Sequence, residues 1–76
     1  MEIITLTVGS YTGTAEINWF DENKWSTAHY EAFITVPFQD SSWENLFVYD
    51  KVDVLYAMEK AKQCLEMALL RCTLCG

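Results

Sequence analysis

Cys72-Thr73-Leu74-Cys75 is the one spacing in this chain with a recognisable chemistry. Two cysteines separated by two residues suit a redox dithiol or half of a zinc site. Zinc needs two more ligands, and only Cys64 and His29 are on offer. Cys64 lies two turns before Cys72 on roughly the same helix face, while His29 sits on a strand. A redox dithiol normally opens a helix, whose positive end lowers the thiol pKa. This one closes a helix, where the field works against the thiolate. His29 is the single histidine, with Glu31 two residues along the same strand face, so the two can touch as a surface pair. No strained nucleophile turn accompanies them. Asp21, Glu22, Asp40 and Glu44 could supply paired carboxylates, but all fall in predicted loops of a domain too small to enclose a sugar. Three glycines make no phosphate-binding loop. The expectation is a non-enzyme without metal or cofactor, its thiols buried or frayed.

The elements that hold these residues change character partway along the chain. Residues 2–8 alternate, with Ile4, Leu6 and Val8 on one face and Ile3, Thr5 and Thr7 on the other, which predicts a half-buried strand. Gly9 to Gly13 reads as a hairpin loop. A second strand is predicted over 14–20, with Ala15, Ile17 and Trp19 opposite Glu16, Asn18 and Phe20. Asp21 to Lys24 reads as a short polar turn. A third strand over 26–36 places Ala28, Tyr30, Ala32, Ile34 and Val36 inward and His29, Glu31, Phe33 and Thr35 outward, with Pro37 ending it. The apolar run 45–49 reads as a fourth strand or an extended approach to a helix.

That helix is predicted over 53–72. Asp53 is the expected N-cap, and Asp50 adds negative charge near the positive end. Leu55, Met58, Ala61, Leu65, Ala68, Leu69 and Cys72 recur at three- and four-residue spacing. Ala57 and Cys64 widen the stripe with small side chains, so the helix can lie close to a sheet. At ~1.5 Å per residue it spans roughly 30 Å, enough to cross four strands. The fold class is therefore α+β: an antiparallel β-meander of three to four strands under one long C-terminal helix, in a single domain. Tyr56, Met67 and Leu70 fall on the helix face turned away from the sheet, a candidate homodimer surface.

Eleven acids against five bases give a formal net charge of −6. Such a field repels phosphates, which argues against direct binding to nucleic acid or an anionic membrane, and favours a protein partner with a basic surface. No run approaches the ~20 apolar residues of a membrane span. The N-terminus passes straight into strand pattern without a signal-peptide profile, and the odd, clustered cysteines fit a reducing cytoplasm. Three Trp, four Tyr and four Phe exceed what so small a core can hide, so some should form a contact patch. Acids of the loops and helix start, gathered at one end of the domain around Trp43, Phe47 and Tyr49, would make such a patch. The expected contact residues are Asp40, Trp43, Glu44, Phe47, Tyr49 and Asp50.

Trp25, Phe33-Ile34 and the run Val48-Tyr49-Asp50-Lys51-Val52-Asp53-Val54-Leu55-Tyr56-Ala57-Met58 resemble a pattern in small bacterial and phage proteins, with Lys51 where that pattern has glycine. These are β-meander-plus-helix proteins of the immunity and anti-defence (anti-CRISPR-like) kind. The resemblance spans about the C-terminal two-thirds of the chain and carries over no functional residue. It implies a stoichiometric inhibitor.

Overall fold

A computed structural model describes residues 1–75, the side chain of Cys75 excepted. The chain forms strands β1 (Glu2–Val8), β2 (Tyr11–Phe20), β3 (His29–Thr35) and β4 (Ser42–Asn45), then a 3-10 turn (Lys51–Asp53) leading into helix α1 (Val54–Cys75). The strands make one antiparallel sheet in the order β1-β2-β3-β4. Helix α1 covers one face of it, and the α+β meander expected from the alternation is the architecture observed.

The core lies between the two layers. Ala15, Ile17, Tyr30, Ala32, Ile34 and Val36 point up from the sheet, and Ala57, Ala61, Leu65, Ala68, Leu69 and Cys72 point down from the helix. Three alanines on the buried helix face bring the helix axis close to the strands, as their spacing suggested. Gly13 marks the closest approach. A Cβ there would stand 2.8 Å from the Thr35 carbonyl and 3.0 Å from a Leu65 methyl.

That observation corrects the first hairpin. Gly13 belongs to β2 and serves packing, while the turn is the pair Gly9-Ser10, with Gly9 at φ 61° supplying the left-handed residue. The second connection is longer than the predicted polar turn. β3 begins only at His29, because the Asn23 side chain accepts from the amides of Trp25 and Ser26 and folds residues 21–28 into a loop. Trp25 is left 86% exposed in it.

β4 is also displaced from the predicted 45–49, pairing instead over Ser42–Asn45. Leu46 and Val48 are buried, which is the alternation the sequence displays, but Phe47 between them takes φ 54° and breaks the ladder. The Asn45 carboxamide accepts from the Phe47 amide and holds that bulge. Two backbone bonds to Tyr30 keep the segment beside β3: the Leu46 amide donates to its carbonyl, and its amide donates to Val48. The Tyr30 hydroxyl donates to the Lys51 carbonyl and pins the helix approach. Burial, with Asp50 and Asp53 nearby, pushes its phenol pKa up.

Asp50 caps the 3-10 turn, its carboxylate accepting from the Val52 amide at 3.0 Å, and Asp53, the expected helix N-cap, is the last residue of that turn. The stripe holds from Ala57 onward and differs only at its start. Val54 and Met58 turn toward the sheet, whereas Leu55, placed in the stripe by spacing, is 77% exposed. The helix also runs past the predicted end at Cys72. Cys72 is buried there, its thiol donating to the Pro37 carbonyl at 3.1 Å and accepting from the Gln39 amide at 3.4 Å.

Candidate functional site

Strand register decides which outward residues meet. On the face away from the helix, Ile3, Glu16, Phe33 and Trp43 lie in one row across the four strands, and Asn18, Glu31 and Asn45 in the next. Phe20 and His29 face each other one row further. The Trp43 ring sits between two partners, edge-on to Phe20 at 5.3 Å and tilted against Phe33 at 4.9 Å. Three aromatics thus form a patch on the uncovered face, and Trp43 keeps 50% of its surface exposed.

His29 is the unexpected member. The outward strand face should have left it wet, yet it is 5% exposed, with Phe20 stacked on it at 6.0 Å. Its Nδ1 lies 2.5 Å from the Thr27 carbonyl and its Nε2 2.6 Å from Glu31 Oε2. Both neighbours are acceptors, so both contacts are hydrogen bonds only when both ring nitrogens carry a proton, that is, in the imidazolium form. The Thr27 carbonyl, and after it the Glu31 carboxylate, raise its pKa above the ordinary histidine value, against the opposing effect of burial. The expected His29–Glu31 contact is therefore present, but as a shielded ionic link under an aromatic cover and not a surface pair.

The expected contact residues do not form one cluster. Trp43 belongs to the open face. Glu44, its neighbour in sequence, points to the helix side, where it lines a groove with Cys64 and Arg71. Asp40 borders the same side near Gln39, whose contact is with Cys72 late in α1. Asp50 caps the 3-10 turn that leads into the other end of that helix, about 30 Å away by the helical rise. The acids therefore do not gather at one end. Phe47 and Tyr49 are exposed at 69% and 55% along the β4 side. Tyr56, Met67 and Leu70 are exposed on the outward side of α1, as the helical spacing requires.

Charge follows the layers. The residues before Val54 carry nine acids and two bases, whereas α1 carries two acids and three bases. The four strands carry four acids, Glu2, Glu16, Glu31 and Glu44, and no Lys or Arg, His29 being their one basic side chain. Glu31 is matched by His29, but Glu16 has no basic partner among the described residues.

The thiols offer little chemistry. Burial is the main cause that pushes the Cys64 thiol pKa up, and Cys72 is tied into the loop. The Cys75 side chain lies outside the described residues. Among the described residues no group of three or more His, Cys, Asp or Glu could hold a metal ion. Among the described residues no helix is long and apolar enough to cross a membrane.

Comparison with models of known protein families, with curated proteins and with solved structures returns no match.

Proposed function

We propose that this chain is a non-enzymatic protein-binding module that lays the open face of its sheet on a basic surface of its partner and inhibits that partner by occlusion. One observation carries the reading: Phe20, Phe33 and Trp43 form a solvent-facing aromatic patch on a sheet whose strands bear glutamates and no Lys or Arg. Aromatic anchors supply contact area at low entropic cost, and a surrounding negative field steers a cationic partner into register. The ionic link of His29 to Glu31 makes the base of the patch rigid, which lowers the ordering cost of binding. The resemblance to small anti-defence and immunity proteins gives the reading its biological form, a stoichiometric inhibitor. The contact residues are then Trp43, Phe33, Phe20 and Glu16, with Phe47 at the margin.

The test is affinity capture from extracts of the native host, with wild type, the pair Trp43→Ala and Glu16→Lys, and Glu44→Lys as control baits. A basic protein should be retained by wild type and by Glu44→Lys, and at least about tenfold less by the pair, all baits being folded by circular dichroism. Its own activity should vanish at one equivalent of added chain. Equal retention by the paired variant removes the open face from the interaction.

A further inference from the structure

Strand β1 is the long sheet edge that the fold leaves open. Among the described residues its only strand partner is β2, so alternate residues of Glu2–Val8 direct amide and carbonyl groups into solvent. The other edge, β4, is four residues long and interrupted by the bulge at Phe47. β1 has none of the devices that protect an edge: no proline, no lysine, no left-handed residue, and a single charge at its start. Above it a shallow trough lies between strand and helix, lined by Ile4, Leu6, Leu55, Met58, Glu59 and Lys62. The exposed Leu55, which the core does not use, stands in this trough.

We infer that this edge is the interface of a symmetric dimer, in which β1 strands from two copies pair antiparallel about Thr5. The geometry suits a second copy for a specific reason. Helix α1 runs in the same direction as β1, since Glu2 lies near Val54 at one end and Gly9 meets Thr73 at the other. A twofold axis through Thr5 therefore sets two helices antiparallel and side by side above a continuous sheet. In that arrangement Glu2 of one copy stands opposite Val8 of the other, and Ile3 opposite Thr7, so no like charges meet along the strands. Glu59 and Lys62 both flank the trough beside Thr5. The twofold brings Glu59 of each helix to Lys62 of its neighbour, a pattern of charge that complements itself. Leu55 and Met58 are covered in the same step. The open aromatic face lies on the other side of the sheet and stays free.

Sedimentation velocity from about 1 μM to about 1 mM tests the dimer, low micromolar association being expected. Glu59→Lys puts like charges across the axis and should weaken association about tenfold, and the exchange Glu59→Lys with Lys62→Glu should restore it. Thr5→Pro should abolish association, with folding of the monomer followed by circular dichroism. Met67→Lys with Leu70→Lys, on the outward helix face, should leave association intact. A chain that stays monomeric to 1 mM overturns the inference, including the case where the edge receives an extended segment of another protein. So does a dimer that Met67→Lys and Leu70→Lys dissociate while the Glu59 exchange does not affect it.

Discussion

Replacing His29 by Gln isolates the one shielded ionic element among the described residues. The wild-type ring donates from Nδ1 to the Thr27 carbonyl and from Nε2 to Glu31, and glutamine cannot carry the charge that both bonds favour. A hydrogen bond to a charged group contributes about 1.5–3 kcal/mol. Glu31 retains a quarter of its side-chain surface in water, which screens the link and brings the expected total to about 2 kcal/mol. The sign of the pH dependence follows from the raised folded pKa. In the unfolded chain His29 titrates near its ordinary value of about 6.5. Below that value the folded and unfolded rings are both protonated, and the full stabilisation is present. As pH climbs through the higher folded pKa the proton is lost, and the stabilisation goes with it. Urea denaturation of wild type and His29→Gln, from about pH 5.5 to about pH 9, measures the gap directly. Taking the difference cancels Tyr30 and Cys64, whose raised pKa values are common to both proteins. The gap should be about 2 kcal/mol at the acid end and shrink as pH rises. A gap that is constant, or that widens with pH, refutes an imidazolium at this position.

Gly13→Ala should cost about 2–3 kcal/mol, because the added methyl meets the Thr35 carbonyl and the Leu65 side chain below contact distance. Urea midpoints read this, and a loss under about 0.5 kcal/mol would mean that helix and sheet are further apart than described. Alkylation of the native protein by iodoacetamide should be slow at Cys64, whose raised pKa withholds the thiolate, and slower still at Cys72 until the chain unfolds. Mass mapping that finds Cys72 modified as fast as Cys64 contradicts its ties to Pro37 and Gln39.

Where local periodicity alone decides a position, the sequence is a good guide. Ile4, Leu6 and Val8, then Ala15 and Ile17, then Tyr30, Ala32, Ile34 and Val36, all turn toward the helix as their alternation requires. The helix stripe from Ala57 to Cys72 holds for the same reason. The errors cluster where a side chain competes with periodicity for the backbone. Asn23 captures two amides and delays β3, Asn45 captures one and bends β4, and Asp50 starts the helical turn before Asp53 can. Each is a short polar residue whose hydrogen bond replaces a ladder or helix bond, and neither period describes that competition. Leu55 departs for a different reason: Val54 takes the sheet-facing place in the first helical turn, and Leu55, one residue on, is left in solvent.

The site was less legible than the fold because it is a property of register. Phe20, Phe33 and His29 were each assigned outward from their own strands, but nothing local to a strand says which residues on its neighbours they meet. Had β4 paired over 45–49, Trp43 would lie in a loop and Phe20 and Phe33 would stand as isolated exposed rings. The observed strand, which starts three residues earlier than the predicted 45–49, pairs Phe33 with Trp43 and turns the same rings into a patch. It also sends Glu44 to the opposite face, separating it from Trp43. A slip of one residue in β4 would exchange the two, presenting glutamate to the patch and burying tryptophan against Cys64. The Asn45 bulge, by fixing where the ladder stops, therefore sets the composition of the open face. Its polar side chain thereby shapes the open face, on which it lies one row from the aromatic rings.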